Sequence, residues 1–192
     1  MANCLHGRQQ LQQLLMLQNQ AYITIILFFF GIGSTRQILH SNEYWLPENV
    51  VPITYSLSLK VNMEKLTTEG RVSILVKVVR PTKQITLHVH PRLVRVKQNE
   101  VRVVKMNTGR GVKVKRYKLD KAKEFGIVEL ANKLKTGTFV KLVIPFKGKV
   151  QDESYREGLF LSQDDAGSMM AVTDFEPMSA RKVRANLFLS VL

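Results

Sequence analysis

Two histidines placed two residues apart, His88 and His90, are the first candidates for chemistry in this sequence. Alternate residues of a strand point to the same face, so the two imidazoles could chelate a zinc or copper ion together. A third ligand would have to come from an Asp or Glu elsewhere, and no spacing in the sequence suggests one. Short motifs of this kind are promiscuous, and we favour a structural or surface role for the pair.

Other catalytic arrangements are sparse. The single cysteine, Cys4, lies near the N-terminus, so the rest of the chain provides no disulfide, thiol nucleophile or thiolate metal site. His6 and His40 are the remaining histidines, and none of the four begins an H-E-x-x-H motif. In that motif two imidazoles one helical turn apart hold zinc, while the Glu acts as general base on the bound water.

The formal net charge of +14 is the outlying figure of the composition. A basic chain attracts polyanions, but here the charges alternate with apolar residues, as in Arg92–Lys97 and Val112–Lys115. This alternation is typical of a half-buried strand that turns its charged face to solvent. No segment combines aromatic and basic residues in a stacking motif, so we expect no nucleic-acid partner.

Residues 1–33 have the composition of a secretory signal. One basic residue, Arg8, precedes the apolar run Ala21–Phe30, and small residues follow, with cleavage expected after Gly33. The alternative is an uncleaved signal anchor from Leu14 to Gly33, which is long enough to span a bilayer as a helix. Both interpretations predict an N-terminal hydrophobic helix, membrane association through this segment, and an extracellular or plasma-membrane location reached by the secretory pathway.

The body of the chain has a period of two, which predicts strands. The predicted strands are Ile53–Val61, Arg71–Val79, Gln84–Val89, Leu93–Lys97, Glu100–Met106, Val112–Leu119, Gly126–Leu130 and Phe139–Val150. Thr67–Gly70 and Asn107–Gly111 are predicted turns, and a short helix is expected near Lys121–Phe125 or Ala131–Lys135. Many short strands separated by turn residues indicate an all-β, antiparallel, sandwich-like domain. Gly70, Gly137 and Gly148 are assigned to turns at strand ends.

Four ordered segments resemble the N-terminal domain of the aminopeptidase N-like zinc metallopeptidases. They are Leu46–Leu59 (LPENVVPITYSLSL), Glu69–Ile74 with Pro81–His88, Leu134–Gly137 with Leu142–Gly148, and Gly158–Ser162 with Ala171–Lys182, which contains T-D-F-E-P-M-S-A-R-K. Each segment alone is weak, but the ordered set covers residues 44–182. The resemblance implies a saddle-shaped antiparallel β domain.

The resemblance also implies two site residues. In the family, the acidic residue of T-x-F-E-P projects into the catalytic cleft and binds the free α-amino group of the substrate, and here that residue is Glu176. A carboxylate suits an ammonium in a charge-assisted hydrogen bond. Asp174 stands where the family usually has Gln, facing the first substrate side chain, and an Asp there would favour basic side chains. The alternative is that both are ordinary loop carboxylates near Arg181 and Lys182.

The chemistry of the family depends on motifs that this sequence lacks. H-E-x-x-H and the G-x-M-E-N exopeptidase motif are both absent, so we expect no catalysis and no metal in this chain, whereas the full-length family binds zinc. After Lys182 the family continues with A-F-P-C-x-D-E-P, but residues 183–192 form a divergent tail. We therefore expect residues 44–182 to be an incomplete domain of a truncated chain.

Three hypotheses about function follow. The first is the non-catalytic N-terminal domain of a zinc aminopeptidase, which anchors the amino end of a peptide through Glu176. The second is a secreted module that binds the amino end of peptides without catalysis. It should bind peptides only weakly, because exposed ion pairs contribute little free energy. The third, based on net charge alone, is a basic adhesion module for anionic glycans or lipids.

Overall fold

A computed structural model describes residues 21–28, 45–152, 154, 157–174 and 182. These residues confirm the all-β, antiparallel expectation: they form twelve strands and a single 3-10 turn, Gln98–Glu100, and no α-helix occurs among them. The strands are β1 Ala21–Phe28, β2 Val50–Asn62, β3 Thr67–Val78, β4 Thr82–His88, β5 Val94–Val96, β6 Arg102–Lys105, β7 Gly111–Val112, β8 Val114–Asp120, β9 Phe125–Leu134, β10 Phe139–Lys149, β11 Gly158–Gln163 and β12 Met169–Asp174.

Two sheets and a hairpin account for all twelve strands. The large sheet has the order β1-β2-β3-β10-β6-β7, and β5 pairs with β10 beyond the end of β6. The small sheet has the order β4-β9-β8, and β11 pairs with β12 alone. Every pairing between named strands is antiparallel, as expected of strands joined by short turns.

The core lies between the large and the small sheet. Alternate residues of the long strands point inward and form rows across the large sheet, such as Tyr55, Ile74, Leu142 and Val103. The small sheet covers these rows with buried aliphatic residues, among them Ile85, Leu87 and Val128, and all belong to one hydrophobic cluster. Burial of apolar residues from two facing sheets is what holds a β-sandwich together.

Two local predictions were wrong. Thr67–Gly70 lie inside β3, and the turn before it is set by Asn62, whose Oδ1 accepts a hydrogen bond of 2.8 Å from the backbone N–H of Lys65. Residues 121–124 form a turn and not a helix. Asp120 Oδ1 accepts hydrogen bonds from the N–H groups of Ala122 and Lys123, and these bonds stabilise the reversal of the chain. Ala131–Leu134 continue β9.

The three glycines that were assigned to turns are required for different structural reasons. Gly137 does occupy a turn, with φ of +80°, a conformation that other residues rarely adopt. Gly70 and Gly148, in contrast, lie within β3 and β10. A Cβ on Gly148 would collide with the Thr68 hydroxyl, so close packing between neighbouring strands requires glycine there.

The N-terminal hydrophobic helix is not confirmed. Of residues 1–33 the structure describes Ala21–Phe28, which form β1 and pair with residues 54–61 of β2. An apolar, β-branched run of eight residues suits a strand as well as a helix, and pairing with the edge of β2 provides its hydrogen bonds. Among the described residues, no helix is long and apolar enough to cross a membrane.

Candidate peptide-end site

The β11–β12 hairpin carries one of the two predicted site residues. Its base is fixed to the body by Gln151, which forms a parallel bridge to Phe160 and exchanges two backbone hydrogen bonds of 2.9 Å with Leu159 and Leu161. Leu159 is 2% exposed and belongs to the main core cluster, against which Leu161 and Ala171 also pack. One face of the hairpin therefore rests on the body.

Asp174 lies at the end of β12, directly opposite Gly158, and is half-buried. Side chains that lie opposite each other on adjacent strands point to the same face of the sheet, and successive side chains along one strand point to opposite faces. Since Leu159 and Leu161 face the core, Asp174 shares the other face with the Phe160–Val172 pair. The structure thus places this carboxylate on the hairpin face opposite to Leu159 and Leu161, a face on which Phe160 is also buried.

A charged pair lies at the same end of the hairpin. The Nζ of Lys182 forms an ion pair with the Glu157 carboxylate, one residue before β11. The sequence did not suggest Glu157 as the partner of Lys182. Glu176 itself, the predicted amino-group anchor, lies outside the described residues.

The two histidines of β4 and its continuation are held by their surroundings. His88 is buried and its ring lies 5.2 Å from the ring of Phe125. His90 Nδ1 accepts hydrogen bonds from the N–H groups of Arg92 and Leu93, at 3.3 and 3.1 Å, and its Nε2 lies 3.7 Å from Glu124 Oε1. These contacts fix the turn that leads into β5, which accounts for His90 without a metal.

The residues do not fit the zinc that the resemblance implies for the full-length family. Within the described part of the chain, no three His, Cys, Asp or Glu side chains come together in an arrangement that could hold a metal ion. We therefore derive no chemical step through a metal in this chain.

Two carboxyl groups on the main sheets have shifted pKa values. The Arg116 guanidinium and the Lys118 ammonium beside Glu129 lower the pKa of that carboxyl to about 2. On the large sheet, the hydrogen bond from Lys97 to Glu69 lowers the pKa of Glu69. Glu129 pairs with cations of the neighbouring strand β8, whereas Glu69 of β3 is reached by Lys97 from beyond β10. Ion pairs within the sheets explain both shifts, which makes these groups structural.

Taken together, the described residues define an antiparallel β-sandwich domain with an appended hairpin that ends in the half-buried carboxylate of Asp174. A family model for the Peptidase M1 N-terminal domain matches residues 51–184, and the chain belongs to this family.

Known aminopeptidases are similar to this chain over most of its length. Endoplasmic reticulum aminopeptidase 1 of Rattus norvegicus is 25% identical over 142 residues, which is 73% of this chain and 15% of the relative. Glutamyl aminopeptidase of Mus musculus is 26% identical over 145 residues, with the same two coverages of 73% and 15%. Aminopeptidase 2 of Candida albicans is 29% identical over 152 residues, or 78% of this chain and 15% of the relative. The chain thus spans about 15% of the length of these relatives.

Proposed function

We propose that this chain acts as the non-catalytic N-terminal domain of a zinc aminopeptidase and contributes the anchor for the amino end of a peptide substrate. The family match over residues 51–184 carries the proposal, because it includes the T-D-F-E-P segment, residues 173–177. Peptide hydrolysis and zinc binding belong, in this proposal, to parts of such an enzyme that the matched segment does not include.

The role proposed for Glu176 is to accept hydrogen bonds from a protonated α-amino group. An ionised carboxylate offers two acceptor oxygens to the three N–H donors of an ammonium, and the charges strengthen each bond. Asp174, two residues earlier, is proposed to face the first side chain of the peptide and to favour Lys or Arg there. Its place in the T-x-F-E-P motif supports this role; in the structure the residue is half-buried at the end of β12, on the same face as the buried Phe160.

Binding of matched peptides tests the anchor. We would titrate the full chain with a short peptide that begins with Lys and has a free amino terminus, and with the same peptide after N-acetylation, following peptide signals by NMR. The expected result is weak binding, with Kd on the order of millimolar, for the free peptide alone, because an exposed ion pair contributes little. Equal binding of the acetylated peptide would disprove an amino-group anchor.

Three variants distinguish the proposed roles of the Glu176 and Asp174 carboxylates. Glu176→Gln should abolish the difference between free and acetylated peptides, while Asp174→Asn should keep this difference but remove the preference for Lys over Leu at the first position. Asp165→Asn, an exposed carboxylate at the tip of the same hairpin, has the same charge change and should leave both unchanged. If Asp165→Asn weakens binding as much as Glu176→Gln, the effect is one of general charge and the proposed roles are wrong.

We also propose that residues 1–33 direct the chain into the secretory pathway, where it is extracellular or associated with the plasma membrane. In either form Ala21–Phe28 are no longer paired with β2, so the large sheet of the exported protein begins at β2. The composition of this segment supports it, and one relative is by name an endoplasmic reticulum protein. N-terminal sequencing of protein from the medium and the membranes of expressing cells is the test. A mature start at Ser34 indicates cleavage, a membrane-bound chain with an intact N-terminus indicates an anchor, and an intact chain in the cytosol overturns the proposal.

A further inference from the structure

A cleft of about 590 Å³ lies where the large sheet meets the small one. The chain leaves the large sheet at β7 and enters the small sheet at β8 with a single residue, Lys113, between the two strands. The backbone of Lys113 is held there, since its carbonyl accepts a hydrogen bond of 2.9 Å from the N–H of Ala131. The cleft is therefore bounded by the edges of both sheets and by the 3-10 turn Gln98–Glu100.

The side chains along this cleft are cationic. Arg102, Lys113, Lys115 and Arg116 line it together with the amides Gln98 and Asn99, and no carboxylate is among the lining residues. The sequence of this region explains the bias, because residues 101–119 contain seven Lys or Arg and no Asp or Glu, against a net charge of +14 for the whole chain. Residues 101–119 thus carry seven positive charges and no negative one, and four of the seven line the cleft.

Three of these cations form no ion pair with the residues that the structure describes. Arg116 pairs with Glu129 at 2.6 Å, and Lys118 pairs with the same carboxylate at 2.8 Å. Arg102, Lys113 and Lys115 are exposed, and none forms an ion pair with any residue in the described part of the chain. Like charges held close together by strands repel one another, and a bound polyanion would relieve this repulsion.

We propose that this basic cleft binds a sulfated glycan chain. Sulfate groups spaced along a narrow, flexible polymer can reach cations on both walls, while the amides of Gln98 and Asn99 are suited to hydrogen bonds with sugar hydroxyls. A flat anionic bilayer does not enter a cleft, and no exposed aromatic side chain lines it on which nucleobases would stack, because Tyr117 is buried. This interaction uses neither Asp174 nor Glu176, so it is independent of the proposed peptide anchor.

The test compares two triple variants of the full chain with equal net charge. Arg102→Gln/Lys113→Gln/Lys115→Gln removes the unpaired cations of the cleft. Lys65→Gln/Lys83→Gln/Lys121→Gln removes three exposed lysines that do not line the cleft. Binding to a defined heparin oligosaccharide is measured by calorimetry at several salt concentrations, after circular dichroism has shown that both variants fold.

The expected result is a loss of roughly tenfold or more in affinity for the cleft variant, since each exposed contact contributes a factor of about two to five. The slope of log affinity against log salt should fall by roughly one for each lost contact. The control variant should bind within about twofold of the parent, allowing for screening of distant charges.

Three results would overturn the proposal. Equal weakening by both triple variants would mean that net charge and not the cleft is recognised. Undiminished binding of fully desulfated heparin would exclude sulfate recognition. Tighter binding to phosphatidylserine vesicles or to single-stranded DNA than to heparin, with the same dependence on the cleft residues, would assign the cleft to a membrane or to nucleic acid instead.

Discussion

Gly70 of β3 lies directly opposite Phe146 of β10, and the aromatic ring occupies the space that a side chain at position 70 would need. A Cβ on Gly70 would lie 2.7 Å from Cζ of Phe146 and 2.9 Å from the carbonyl oxygen of Ser58. Phe146 is fully buried, so its ring has no free space to move into. The glycine is thus required by packing at the centre of the large sheet.

Gly70→Ala is expected to destabilise the fold by about 1–3 kcal/mol, the usual cost of overpacking a core. Urea unfolding followed by circular dichroism measures the change. Gly111→Ala is the matched control, because a Cβ at Gly111 meets nothing within 4 Å, and we expect a change of no more than about 0.5 kcal/mol. Equal stability of Gly70→Ala and the parent protein would contradict the packing described here.

The Glu129 ion pairs predict a specific loss of stability in acid. Arg116 and Lys118 lower the pKa of Glu129 from 4.5 to about 2 in the folded protein. A lowered pKa in the folded state contributes stability above the unfolded pKa, and this contribution disappears as the pH falls from about 4.5 to about 2. At neutral pH, Glu129→Gln should therefore lower the urea midpoint, and the difference from the parent should shrink across this interval.

Unfolding of the parent and the variant at pH 7, 4 and 2.5 measures this difference. Glu64→Gln is the control, since Glu64 is exposed in the β2–β3 turn and forms no ion pair within the described residues. A stability difference for Glu129→Gln that stays constant from pH 7 to 2.5 would show that the ion pairs do not form.

The Tyr117 hydroxyl predicts a stabilising substitution. Tyr117 is 9% exposed, and its hydroxyl group has no hydrogen-bond partner within the described residues. Burial raises the pKa of this phenol, because the charged form would be poorly solvated. Since an unsatisfied buried polar group costs about 1–3 kcal/mol, Tyr117→Phe should keep or raise the free energy of unfolding.

Thermal and urea unfolding of Tyr117→Phe measure the effect. Tyr117→Leu serves as a comparison that removes ring volume as well as the hydroxyl, and it should destabilise the protein by a few kcal/mol through the cavity that it leaves. A loss of about 1 kcal/mol or more in Tyr117→Phe would mean that the hydroxyl has a partner, such as an ordered water.

Zinc is expected to leave the stability of this chain unchanged. His88 is buried against Phe125, Nδ1 of His90 accepts two backbone N–H groups and its Nε2 faces Glu124, so chelation by the pair would require His88 to leave its buried position. Thermal unfolding with one to five equivalents of zinc and with EDTA should give the same Tm. A rise in Tm with zinc that is lost in His88→Ala or His90→Ala would establish a metal site and contradict this assignment.

Much of the body of this fold could be predicted from the sequence, because its strands have one buried and one solvated face. The alternation in Ile53–Val61 gave the right strand and the right buried residues, Tyr55, Leu57, Leu59 and Val61. Predictions failed at turns, where the alternation of apolar and polar residues carries no information. The β2–β3 turn depends on the Asn62 side chain, and the β8–β9 turn depends on the Asp120 side chain. The hairpin strands β11 and β12 were not predicted, since their short apolar runs do not alternate clearly with polar residues.

The sequence by itself determined the fold class and the family, since both depend on residue type and order along the chain. The tertiary structure decided what depends on proximity between distant residues. Gly70 meets Phe146, Lys182 meets Glu157, and the cations of β6 and β8 lie around one cleft. Strand pairing brings together residues that are far apart in the chain, and neither local composition nor spacing encodes which strand will be the neighbour.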